Sequence, residues 1–217
     1  MYTLEKMVNL LEYVESPVKQ RKRFEILTKS QDILIREGLY PIKMSEIAEE
    51  IGISKRSLYY YYKNKEELAV DVQILVMNEY ISGREPQIDP TLSGYEQLCQ
   101  LIYYMTERIK FYRKEIKFIT AFDYYFFNGY PDKKYSDYLK TIDEDLTMIH
   151  IFEKGLEDGS LKMPTEDYET LAMTIYQTVF AYAQKIIYRE KSMLSESPER
   201  KVDLDSYFEM LKASVKA

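Results

Sequence analysis

With 217 residues, 46% of them hydrophobic and 30% charged, the chain has the balance of a folded protein of one or two domains, which excludes wholesale disorder. No apolar run approaches the ~20 residues of a membrane span, and the start, Met1-Tyr2-Thr3-Leu4-Glu5, lacks the layout of a secretory signal. Cys99 has no second cysteine to pair with, so a reducing, cytoplasmic setting is expected. The net charge of −6 argues against a uniformly basic nucleic-acid binder, but residues 19–65 hold 11 Lys and Arg against 6 Asp and Glu, so +5 here leaves −11 elsewhere. A basic segment on an acidic body can still hold phosphate, because charges farther apart than a Debye length of about 10 Å are screened.

The elements follow in order. Leu4, Met7, Val8, Leu11 and Val14 predict a short amphipathic leading helix that Pro17 interrupts. After the basic cluster Lys19, Arg21, Lys22, Arg23, a longer helix carries Phe24, Leu27, Leu34 and Ile35, widened by Ile26 and Ile33, and stops at Gly38. Met44, Ile47, Ala48 and Ile51 repeat at helical spacing up to Gly52. Ser54 caps a third helix through about Tyr61, with Leu58 and Tyr62 inward. Asn64, with Glu67 three residues on, caps a fourth that runs through Leu68, Val72, Leu75 and Val76 to around Ser82.

The stretch 83–90, with Gly83, Pro86 and Pro90, is the candidate boundary, giving domains 1–83 and 84–217. Further helices are predicted at about 94–112, 114–128, 133–157, 165–190 and 203–215, with no repeat and no strand.

Ala48 and Gly52, four residues apart between two apolar-patterned helices, suit a helix-turn-helix: a small residue where helices cross, then a residue that tolerates positive φ at the turn. The helix from Ser54 would lay Lys55, Arg56, Ser57, Tyr59 and Tyr61 against phosphate and base edges. The whole stretch from Ile47-Ala48-Glu49-Glu50-Ile51-Gly52-Ile53-Ser54 through Leu58-Tyr59-Tyr60-Tyr61-Tyr62-Lys63-Asn64-Lys65-Glu66-Glu67-Leu68 resembles the DNA-binding signature of the TetR family, strongly over about 24–70.

The resemblance implies an all-α fold: an N-terminal three-helix helix-turn-helix domain, here with an extra leading helix, then a helical ligand-binding and dimerisation domain. It implies a homodimer on double-stranded operator DNA, most often a repressor released by a small-molecule effector. DNA-facing positions carried over are Lys43, Met44 and Ser45 at the second helix start, Lys55, Arg56, Ser57, Tyr59 and Tyr61 in the recognition helix, and Lys65 on a phosphate. Lys43 stands where the family usually has a capping Thr, a loss of about 1 kcal/mol, and Ser30 and Tyr62 replace the more usual Ala and Phe. The leading helix is expected to pack on the DNA-binding domain; a second reading makes Lys19, Arg21, Lys22 and Arg23 a DNA-contacting arm.

In the second domain, Leu171, Ile175, Val179, Tyr182 and Ile186, with Ala172, Tyr176, Phe180, Ala183 and Ile187 beside them, form a stripe wide enough to be covered by its own domain and by a partner. Leu204, Tyr207, Phe208 and Leu211 add to it. Residues 118–127 are aromatic and read as apolar all round, yet hold Asp123; a buried carboxylate needs a partner. One reading is an effector pocket of Tyr103, Phe111, Phe122, Asp123, Tyr125, Phe126 and Tyr176; the other is an aromatic core with Asp123 paired or in solvent.

No cofactor or metal is expected. His150 and Cys99 have no ligating neighbours by spacing and read as structural. No phosphate-cradling loop and no nucleophile–base set points to an enzyme. The competing function is a DNA-binding protein whose C-terminal helices take a protein partner.

Overall fold

The computed structural model describes residues 16–82, 86–129, 133–139, 147–162, 165–189 and 204–217. Among them are ten α-helices and no strand: α1 (Pro17–Glu37), α2 (Met44–Glu50), α3 (Lys55–Tyr61), α4 (Lys65–Ser82), α5 (Gly94–Phe111), α6 (Arg113–Tyr125), α7 (Lys133–Leu139), α8 (Thr147–Glu157), α9 (Tyr168–Arg189) and α10 (Leu204–Val215). The leading helix of the sequence reading lies outside the described residues, as do residues 83–85 of the boundary and residues 140–146. The helix expected over about 133–157 is described as α7 and α8 on either side of that stretch.

The chain divides into two compact units, residues 1–83 with 117–143, and residues 84–116 with 144–217. In the first, α1 opens on Pro17 at its first position, where a missing N–H costs nothing. The basic cluster 19–23 therefore sits in the first turns of a helix. Leu27, Leu34, Ile47, Leu58, Tyr62, Leu68 and Val72 are buried. Polar groups close the seams: the Gln31 amide donates to Glu79 Oε2 at 2.6 Å, Lys134 Nζ to Asp71 Oδ1 at 2.5 Å, and the Gln73 amide to the Tyr135 hydroxyl at 2.9 Å. Asp71 is 2% exposed, so its pairing with Lys134 is what makes its charge tolerable there.

In the second unit α5 and α8 approach at Gly94 and Gly155. A Cβ on Gly94 would meet the Gly155 Cα at 2.2 Å, so only glycine permits the approach. Asp158 fixes it, accepting from the Gly94 N–H at 2.8 Å and the Ser160 N–H at 2.9 Å. On α9 the inward face is Ala172, Ile175, Val179, Ala183 and Ile187.

Candidate nucleic-acid interface

The turn between α2 and α3 is built by backbone hydrogen bonds that glycine makes possible. Gly52 has φ +76°, its N–H donates to the Glu49 carbonyl at 3.1 Å, and the next N–H, of Ile53, reaches back to the Ala48 carbonyl at 2.9 Å. This Schellman closure satisfies the carbonyls at the end of α2 and turns the chain. Ser54 then starts α3, its hydroxyl accepting from the Ser57 N–H at 3.0 Å. Buried Ile47, Ala48 and Leu58 seat the two helices on the core.

Lys43 at the start of α2 makes no side-chain cap, because an ammonium has no acceptor to offer. Half of the capping box survives through Glu46, whose carboxylate accepts from the Lys43 N–H at 2.8 Å.

The DNA-facing residues expected from sequence separate into three groups. Lys43, Ser45, Lys55, Arg56 and Tyr59 are exposed, with Lys55 Nζ 5.8 Å from the Tyr59 ring centre. Ser57 and Tyr61 are half-buried. Met44 is a correction. It is 6% exposed because it begins the apolar stripe of α2, and it belongs to the core and not to the DNA face.

Lys65, the residue expected on a phosphate, is half-buried and makes internal hydrogen bonds. Its Nζ donates to the Leu39 carbonyl at 2.6 Å and the Ile42 carbonyl at 3.2 Å, and stands 5.3 Å from the Tyr125 ring centre. The ammonium thus ties the loop between α1 and α2 to the first turn of α4. The neighbouring Glu66 accepts from the Tyr125 hydroxyl at 2.9 Å; burial, and then this bond, push that hydroxyl up to about 12. Asn64 caps α4 by accepting from the Glu67 N–H at 2.8 Å, while the Glu67 carboxylate reaches the Lys63 N–H at 2.8 Å.

Sequence reasoning missed three contributions to this unit. Arg23 lies over the Tyr62 and Tyr61 rings, Lys19 lies over the Tyr60 ring at 5.0 Å, and Tyr40 packs edge-on against Tyr125 at 5.0 Å. All join residues far apart in the chain, where local pattern carries no signal.

The residues read as an effector pocket fall in both units. Phe122 and Phe126 are buried, their ring centres 4.6 Å apart, with Tyr135 on Phe122 at 5.2 Å. Tyr125 is half-buried in the same unit. Tyr103, Phe111 and Tyr176 belong to the second unit, with Tyr103 68% and Phe111 60% exposed and Tyr176 half-buried. Asp123 is exposed, as the second reading allowed, and the expectation that this stretch is apolar all round is corrected: α6 is two-faced, with Ile116, Ile119 and Phe122 inward and Lys117, Asp123 and Tyr124 outward.

Residues 26–72 match the family model of bacterial regulatory proteins of the tetR family. Over this segment the chain carries a DNA-binding domain of the tetR family. Over 84 residues it is 25% identical to the fatty acid metabolism regulator protein of Bacillus subtilis, covering 39% of this chain and 43% of that one. Over 77 residues it is 29% identical to an HTH-type transcriptional regulator of Haemophilus influenzae, covering 36% and 41%. The match therefore spans about two fifths of either relative. A TetR-family regulator from Agrobacterium tumefaciens shares the fold at TM-score 0.59 and 17% identity, over 92% of this chain and 100% of that one. The matched segment is a helix-turn-helix domain of the tetR type, and among the described residues no helix is long and apolar enough to cross a membrane.

Proposed function

We propose that this chain is a homodimeric repressor of the TetR family, released from operator DNA by a small-molecule effector. The observation that carries the DNA-binding part is the Ser54-capped α3, which sinks Leu58 and turns Lys55, Arg56 and Tyr59 outward. Pairing through α9 and α10 is supported by the apolar residues their own unit leaves partly uncovered: Leu171, Tyr176, Phe180, Tyr182 and Ile186 are half-buried, and Met173 and Met210 are exposed. A dimer sets two recognition helices about one DNA turn apart, roughly 34–36 Å, and matches a two-fold symmetric operator. Release requires the effector to bind the DNA-incompetent arrangement better by a few kcal/mol. The name of the Bacillus subtilis relative makes fatty acids the first effectors to try.

The test is fluorescence anisotropy on a duplex that the full chain selects from randomised DNA, alongside sedimentation of the free protein. A dimer that binds the selected duplex and is displaced by a fatty acid supports the whole reading. A protein monomeric both free and on DNA would sink it. Binding that no fatty acid weakens would favour a protein partner instead, for which the exposed Tyr103 and Phe111 of α5 are the supporting feature.

A further inference from the structure

The recognition helix is seven residues long, too short to hold its own shape or direction, so its orientation depends on what grips it. Its buried anchors are Leu58 within the helix and Tyr62 at its end. Tyr62 is fully buried, and over its ring, 4.9 Å from the centre, stands the Arg23 guanidinium of α1. The same guanidinium is 5.9 Å from the centre of the half-buried Tyr61 ring. Arg23 is itself 8% exposed, so its charge faces the rings and not solvent. One turn earlier on the same face, Lys19 covers Tyr60.

We infer that Arg23 is a positioning residue for DNA recognition: its buried guanidinium, stacked on Tyr62 and Tyr61, sets the direction of α3 without touching DNA. This rests on α3 being the DNA-reading helix. The chemistry suits the role, since a planar guanidinium stacks on aromatic faces where a lysine offers only a point charge. It also divides the run 59–62 by task. Tyr59 faces outward for contact, while Tyr61 and Tyr62 are the rings through which α1 holds the helix.

The test uses the full chain and compares wild type, Arg23→Met, Arg23→Lys and Tyr62→Leu. Two readouts run in parallel: amide hydrogen exchange along α3 and α4, and binding to the selected duplex against a random one over a range of salt. Arg23→Met is expected to speed exchange at Tyr59–Tyr62 and leave α4 unchanged. It should also cut preference for the selected duplex roughly tenfold, the scale of one desolvated cation–π contact. The salt slope on random DNA should stay the same. Arg23→Lys should recover part of this, and Tyr62→Leu should reproduce the Met pattern from the other side of the contact. Unchanged exchange at Tyr59–Tyr62 would overturn the proposal. A salt slope reduced by about one would also overturn it, because that marks a phosphate contact. If wild type selects no duplex, it is the DNA-binding reading that fails, and the exchange arm alone then decides whether Arg23 holds α3.

Discussion

Lys65→Met separates a lysine that holds the domain together from one that grips DNA. The ammonium makes two hydrogen bonds, to the Leu39 and Ile42 carbonyls, and lies over the Tyr125 ring. A hydrogen bond from a charged donor is worth about 1.5 kcal/mol at the low end, and a cation–π contact at a partly open site about 0.5 kcal/mol. The sum, near 3.5 kcal/mol, is an upper figure because Lys65 is only half-buried. Releasing the stem from its fixed rotamer offsets roughly 1 kcal/mol more. The expected loss is about 2 kcal/mol, read as a lower urea midpoint at unchanged slope. In the folded variant the salt dependence of DNA binding should match wild type. A variant as stable as wild type whose log K against log salt slope falls by about one would refute the reasoning and return Lys65 to the phosphate role.

Gly52→Ala should destabilise by about 1 kcal/mol in urea unfolding, since φ +76° strains any L side chain while nothing within 4 Å would meet the added Cβ; a neutral result would mean that the turn readily changes conformation. Ser30→Ala should stabilise by about 1 kcal/mol, because the Ser30 hydroxyl is buried with no hydrogen-bond partner and alanine is the better helix former; a lower melting temperature would contradict this. The Ser160 side chain, then the Gly94 and Ser160 N–H groups, hold the Asp158 carboxyl below its ordinary range. A depressed pKa contributes stability that is complete above the unfolded value and disappears as pH falls through the folded one. Asp158→Asn should therefore flatten the fall in melting temperature below about pH 4, and an unchanged acid profile would rule out that linkage.

The turn at 52–54 was legible because each of its signals is local: Gly52 for the positive φ, Ser54 for the cap, Ala48 for the crossing. Met44 shows the limit of carrying positions over from a family. Its own apolar spacing with Ile47 and Ile51 already placed it inward, and burial decided between the two readings. The joins that tie residues 117–143 into the first unit were not legible at all. Tyr125 meets Glu66 across 59 positions and Lys134 meets Asp71 across 63, and neither pair leaves a periodic trace. Residues 118–127 misled for another reason. Aromatic side chains count as apolar in any pattern, yet Tyr124 and Phe127 are exposed, so composition there overstated burial.

The local charge of +5 over residues 19–65 says less about DNA than the placement of each cation does. Of its eleven basic residues, Lys22 and Lys29 pair with Glu25, and Arg36 pairs with Glu37 and Glu50. Lys19 and Arg23 lie over tyrosines, and Lys65 is held by backbone carbonyls. Within 19–65 this leaves Arg21, Lys43, Arg56 and Lys63, with Lys55, whose only ring contact among the described residues is the also exposed Tyr59, as the fifth exposed cation. Each phosphate neutralised contributes about −0.9 to the slope of log K against log salt. Five cations per chain therefore bound the slope at about −4.5, or about −9 for a dimer with both domains engaged. Titration of the selected duplex between low and physiological salt measures it. A slope within the bound is expected. A steeper one would show that cations outside these five, released from their internal partners or located elsewhere in the chain, take part in binding.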